Sequence, residues 1–281
     1  MMEPPRPVLV NIGCGRRCHP DWTNLDIAPQ DPSVLRHDLR RGLPFGDGSC
    51  AAVYHSHLIE HLRRGEALRL LQDCFRVLKP GGILRVATPD LERICELYLE
   101  KLRAIKRGEM TAAPDYDWMM LELFDQTVRE RSGGGMLDYL RRDPLPNAAF
   151  VIERIGQEGR EIVQGLKTAP PARSTLRRVL RRPRLIFEWL GDGCLRLFWG
   201  AEALEALRIG RFRLAGEVHQ WLYDRHSLAR LLVAAGFHQP SACQANESRI
   251  PHWPGFHLDT LANGTVIKPD SFYMEAVKPH A

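Results

Sequence analysis

The chain has 281 residues, 44% of them apolar, which is enough to bury one large core and excludes wholesale disorder. Seven cysteines without repeated spacing exclude a disulfide framework and fit a reducing compartment. The net charge of +5 is concentrated: residues 129–184 carry thirteen Arg or Lys against six Asp or Glu, so an anionic partner is expected there.

Residues 1–7 lack the basic start and apolar run of a secretory signal. No stretch approaches the ~18 uncharged apolar residues of a membrane span, so a cytoplasmic location is expected. Cys14, Cys18 and His19 make half of a metal-type cluster, but no second Cys/His pair answers them, and no metal is expected.

Val8-Leu9-Val10-Asn11-Ile12 reads as a buried strand ending at Gly13. Asn24-Leu25-Asp26-Ile27 reads as a second strand, closed by Pro29, and Ala51 to Ser56 as a third. A helix is expected over 64–78, with Leu68, Leu71, Phe75 and Leu78 on one face. It stops at Lys79-Pro80-Gly81-Gly82, and Ile83 to Ala87 is the next strand. Alternating strands and helices imply a parallel sheet with helices on its faces. Residues 91–218 then read as helical stretches broken by Gly and Pro. Asp224 is placed to cap a helix running to Gly236, Asn263-Gly264 signals a tight turn, and Ser271 to Val277 reads as a last strand. The expected organisation is therefore a first core part over 1–90, a mostly helical insertion over 91–218 and completion of the core over 219–281.

The chemistry starts at Gly13-Cys14-Gly15, a strand-to-loop turn where missing side chains let the backbone approach a ligand. Asp26 ends the next strand, where a carboxylate can accept both hydroxyls of a ribose. Asp38, in His37-Asp38-Leu39, can accept an adenine amino group. Only eleven positions separate Gly15 from Asp26, which leaves little room for a first helix, so a loop is expected through His19-Pro20-Asp21-Trp22. A dinucleotide would lose its phosphate-binding helix terminus in that layout; a phosphate-free ligand would not.

This order, continued by HSHLIEHL (55–62) and CFRVLKPGGILRVATPDL (74–91), resembles class I S-adenosylmethionine (SAM)-dependent methyltransferases of the type 11 group. HQWLYDRHSLARLLVAAGF (219–237) resembles the helix before their last two strands. The resemblance implies a Rossmann-like α/β fold with a seven-stranded sheet ending in an antiparallel hairpin, here carrying a helical insertion. It implies SAM as cofactor. Gly13, Cys14 and Gly15 would line its methionine part, Asp26 and Ile27 would hold the ribose, and Asp38 and Leu39 the adenine. His55, Ser56 and His57 would lie at the strand end facing it. Two departures stand out: Asn11 replaces a frequent Asp or Glu, and Arg17 a third Gly.

Methyl transfer to a hydroxyl also needs a proton acceptor. The candidates are His57, His61, Asp90 and His219; Asp90 serves equally as a helix cap. There is no Pro-Cys dipeptide and no Asn/Asp-Pro-Pro-aromatic motif, which argues against cytosine-C5, base-amino and glutamine acceptors. A hydroxyl, carboxyl or carbon of a small molecule or sugar precursor is expected, phosphate- or lipid-linked. The tail from Ser248 to Pro279 resembles the C-termini of predicted methyltransferases from bacterial surface-glycan contexts. Arg173, Arg177, Arg178, Arg181, Arg182 and Arg184 abut an apolar, aromatic run reaching Phe198 and Trp199. Peripheral contact of 173–199 with the inner membrane face is one reading, and a lid helix with a solvated basic face is the other. No RNA-binding module is present, which disfavours an RNA-directed enzyme. A SAM-fold protein that binds without catalysis is the remaining alternative.

Overall fold

A computed structural model describes residues 7–168 and 183–280, without the side chains of 158, 166–191, 194 and 195. Seven strands form one sheet: β1 (Val8–Ile12), β2 (Thr23–Asp26), β3 (Leu35–Arg36), β4 (Cys50–Ser56), β5 (Leu78–Pro89), β6 (His238–Cys243) and β7 (Ser271–Val277). Their order is β3-β2-β1-β4-β5-β7-β6. The pairs among β1 to β5 are parallel, and β7 runs antiparallel to both β5 and β6. The expected Rossmann-like sheet with its closing hairpin is therefore present. The two-residue β3 is too short to have been legible.

One face of the sheet buries Val10, Ile12, Leu25, Val53, Leu84 and Val86 against Leu70, Leu71 and Cys74 of α1 (Arg64–Val77). The turn expected at Lys79-Gly82 is instead part of β5. Helix α1 passes directly into the strand at Leu78, and Gly81 and Gly82 exchange hydrogen bonds with Lys278. The other face carries Tyr54 and is covered by Trp22 and by Trp253 and Leu258 of the C-terminal loop.

The insertion comprises α2 (Leu91–Lys106), α3 (Ala113–Met120), a π-turn (Leu121–Asp125), α4 (Gln126–Val128), α5 (Gly134–Leu140), α6 (Ala148–Thr168) and α7 (Pro183–Leu214). It has its own core of Ile94, Leu97, Trp118, Met119, Tyr139, Leu140 and Val151. A buried Arg154–Glu122 ion pair at 2.6 Å ties α6 to the π-turn. Helix α6 kinks at Gly156 (φ 60°, ψ −143°), where a Cβ would meet Pro269 Cδ at 2.5 Å and the Ile267 carbonyl at 2.6 Å. Only glycine permits that approach of the insertion to the core loop.

The two ends of the insertion meet. Leu91 N–H donates to the Tyr223 carbonyl at 3.1 Å, and Arg225 grips Asp90 at 2.8 and 3.1 Å. The next helix, α8 (Arg225–Ala234), is capped by Asp224 as expected. A single turn, α9 (Trp253–Phe256), lies in the C-terminal loop. Asn263-Gly264 makes the expected tight turn, closed by one Thr260–Val266 bridge. Arg173, Arg177, Arg178, Arg181 and Arg182 lie outside the described residues, as does the side chain of Arg184; Leu197, Phe198 and Trp199 are exposed. Among the described residues no helix is long and apolar enough to cross a membrane.

Candidate functional site

A cavity of 730 Å³ opens at the carboxyl ends of β1 and β4, within the range of small-molecule sites. The glycine turn forms one wall, with Gly13 at φ 63° and Gly15 at φ 53°. A Cβ on Gly13 would press on Leu58 at 3.0 Å, while one on Gly15 would project into open space. The turn is bonded to the end of β2: Gly15 N–H donates to Asp26 Oδ2 at 2.9 Å, and Ala28 N–H to Asp26 Oδ1 at 2.8 Å. Each carboxylate oxygen keeps a lone pair for a further donor.

Asn11 accounts for the loop that replaces a first helix. Its buried amide donates to the Arg17 carbonyl at 2.8 Å and to Asn24 Oδ1 at 3.0 Å. Asn24 in turn donates to the carbonyls of His19 and Trp22, both at 2.9 Å. Two amides thus stitch residues 17–22 across the sheet edge, and a carboxylate at position 11 could not donate to Arg17.

Of the residues expected to hold a cofactor, Gly13, Cys14, Gly15 and Ser56 line this cavity. Cys14 is an inert wall residue, because burial pushes its thiol pKa up to about 12. Asp26 reaches the cavity wall only through its bond to Gly15. Ile27 is 54% exposed beside it. Asp38 caps the turn Leu39–Arg41 and pairs with Arg40 at 2.7 Å, and those hydrogen bonds hold its carboxyl down to about 2. Leu39 packs on the core. His55 departs from expectation: strand alternation turns it away from the cavity into the interior. It is fully buried there with neither ring nitrogen partnered, and desolvation lowers its pKa to about 3.

The four candidate proton acceptors separate. His57 lines the cavity at φ 50°, with Nε2 2.7 Å from Ser271 Oγ and Nδ1 3.4 Å from Glu60. Burial, helped by nearby Lys268 and by the other histidines, depresses its pKa well below the usual range, so it is neutral at pH 7. Asp90 takes the cap role expected as its alternative: it accepts from Arg93 N–H at 3.1 Å, is 5% exposed and is held by Arg225. His61 and His219 come together outside the cavity wall, ring centroids 4.7 Å apart and nearly perpendicular. With Glu60 they form a cluster whose donor atoms all lie within 4.8 Å of one another.

Several wall residues were not anticipated. Arg16, Arg17 and Lys268 bring positive charge, Glu161 and Ile162 come from α6 of the insertion, and Tyr54, Asp259 and Tyr273 come from the aromatic face. The last three are organised by Arg85. It is fully buried on β5, paired with Asp259 and Glu275 at 2.9 Å each, and it donates to the carbonyls of Gln244, Ala245 and Glu247. Its guanidinium lies over the Trp253 ring at 4.4 Å, and Tyr54 donates to Asp259. A lone charge inside an apolar strand was the available signal.

The donor set suits SAM. The turn offers close backbone approach without a phosphate-binding helix start, and Asp26 keeps acceptor capacity.

A model described as "Methyltransferase domain" matches residues 20–86. A Mycolicibacterium smegmatis protein named "Probable S-adenosylmethionine-dependent methyltransferase" is 41% identical over 74 residues, 25% of this chain and 28% of that protein. The chain thus spans little over a quarter of that relative's length. Among solved structures, a SAM-dependent methyltransferase of Thermotoga maritima is 13% identical, with TM-score 0.40, over 98% of this chain and 84% of the other. One of Archaeoglobus fulgidus is 12% identical, with TM-score 0.39, over 98% and 87%. With TM-scores below 0.5, the likeness rests on sheet order and sequence: residues 20–86 match the methyltransferase-domain model, and the glycine turn after β1 and the order of seven strands with β7 reversed are similar to those of class I SAM-dependent methyltransferases.

Proposed function

We propose that the chain transfers a methyl group to a hydroxyl, carboxyl or carbon of an anionic small-molecule or sugar precursor. The carrying observation is that one cavity is shared by the glycine turn, by Glu161 and Ile162 of the insertion and by the cations Arg16, Arg17 and Lys268. Gly13, Cys14, Gly15 and Asp26 would hold SAM, which supplies a methyl group on a sulfonium as electrophile. The chain's work is then positional. The insertion, reaching the wall through α6, excludes water from the acceptor side. His57, neutral and fixed by Ser271, takes the proton of a hydroxyl acceptor. A phosphate-linked sugar matches both these cations and the arginine-rich stretch of the insertion.

The test is calorimetric SAM binding, followed by methyl transfer to a panel of phosphate-linked and neutral glycan precursors. Transfer restricted to anionic members supports the reading. Tight SAM binding with no transfer to any member would favour a binding protein. Replacing Arg177, Arg178, Arg181 and Arg182 together by Gln should raise KM for the anionic acceptor at low salt and leave SAM affinity unchanged.

A further inference from the structure

We propose that Glu60, His61 and His219 form a binding site for one divalent transition-metal ion of the zinc class, joining the turn after β4 to the point where the insertion returns to the core. The three donors come from segments 158 positions apart in the chain, yet their ligand atoms lie within 4.8 Å of one another. Around them the interior carries poorly satisfied polar atoms: His61 Nδ1 and His219 Nδ1 have no hydrogen-bond partner, and Glu60 Oε1 has only the ion-pair contact with His57 Nδ1 at 3.4 Å. Glu60 is fully buried and His219 is 5% exposed, so these lone pairs are withdrawn from solvent. Buried polar atoms are nearly always paired, and two orphan imidazole nitrogens beside a buried carboxylate call for a ligand.

Neighbouring groups hold the cluster in place. Glu60 Oε2 accepts from Thr88 Oγ1 at 3.2 Å, which fixes the carboxylate. Such outer partners orient ligands in known sites. The backbone is braced as well: Gln220 and Trp221 donate to the Glu60 carbonyl at 2.7 and 3.2 Å, and His219 to Gln126 at 2.9 Å. Arg129, the nearby guanidinium, is paired with Asp125 and Glu217. Two imidazoles and one carboxylate favour zinc, cobalt or iron over magnesium or calcium, and three protein ligands leave a fourth position. His57, 3.4 Å from Glu60 and in the cavity wall, is the link to the acceptor side. Only that last role rests on the proposed activity; metal binding does not.

The experiment uses tag-free, chelator-treated full-length protein titrated with Co²⁺, then Zn²⁺, with metal content measured after dialysis. One ion per chain with a visible Co²⁺ d–d band is expected. Loss of an outer partner typically weakens binding 10–100-fold, so His61→Ala and His219→Ala should each weaken it by more than about 100-fold. SAM affinity and circular dichroism, measured on the same samples, report whether fold and cofactor site persist. Should the variants unfold, X-ray absorption on zinc-loaded wild type decides, with two imidazoles and light-atom scatterers expected. No stoichiometric uptake by wild type, unchanged uptake by folded variants, or sulfur scatterers from a cysteine site would each overturn the proposal.

Discussion

Replacing Arg85 by Met would take six hydrogen-bonded groups, Cys243 Sγ among them, from a fully buried guanidinium and leave nothing in exchange. Asp259 would keep only Tyr54, and Glu275 would keep Ser248 and the Arg249 N–H. The carbonyls of Gln244, Ala245 and Glu247 would lose their donors. Removing one member of a buried ion pair costs about 3–5 kcal/mol, and each stranded carbonyl adds up to about 1–3 kcal/mol unless the loop opens to water. Loop opening caps the sum, so about 3–5 kcal/mol is the working figure. At roughly 2–4 °C per kcal/mol for a chain of this size, melting should fall by roughly 6–20 °C. Because Asp259, Tyr54 and Tyr273 line the cavity, ligand affinity should fall in protein that remains folded. Arg85→Lys keeps the charge but has three donors instead of five, and should fall between the two. Scanning calorimetry measures all three proteins. A Met variant that melts within about 2 °C of wild type would show that the loop does not depend on this residue.

Asp26→Ala should weaken SAM binding by about 1.5–3 kcal/mol, through loss of a charged acceptor and of the clamp on Gly15; unchanged calorimetric affinity in folded protein would refute the ribose role. Gly156→Ala forces a Cβ into Pro269 and a backbone conformation reserved for glycine, so it should cost at least about 1–3 kcal/mol. Its mark would be faster hydrogen exchange confined to α6 and residues 267–269, and no change there would count against the contact. Burial holds His55 down to about 3, against 6.5 for a free imidazole, so the folded state binds fewer protons below pH 6.5. Stability is then lost as pH falls from 6.5 toward 3, by about 2 kcal/mol at pH 5. Comparing urea denaturation of wild type and His55→Leu at pH 7 and pH 5 tests this, and a difference that does not change with pH would refute it.

Strands β1, β4 and β7 and the cap at Asp224 were legible because each is a local pattern. The glycine turn was legible because strand, Gly-x-Gly and Asp26 lie within twenty residues. The residues that were missed depend on long-range closure. Asp259 meets Tyr54 across 205 positions; His61 and His219 were both named as candidates, but their meeting across 158 positions was not legible. His55 was misplaced although the period of two decides it: if Ser56 lines the cavity, its neighbour in the strand cannot. Asp90 and Asp38 show a different ambiguity, since a carboxylate at a strand end serves a ligand or a helix start equally well. In the structure each caps a helical turn and pairs with an arginine, Arg225 for Asp90 and Arg40 for Asp38.

The junction at Asp90 and Tyr223 has a consequence for evolution and for engineering. The chain leaves the sheet and rejoins it at the same place, with the two ends hydrogen-bonded to each other. Closing the ends of an excursion costs an entropy that grows only logarithmically with its length, and here the core already holds them closed. Lengthening, shortening or exchanging what lies between should therefore leave the sheet nearly indifferent, provided Gly156 or an equivalent still lets the new segment settle on Ile267 and Pro269. By this reasoning the segment should be exchangeable as a cassette without unfolding the sheet beneath it.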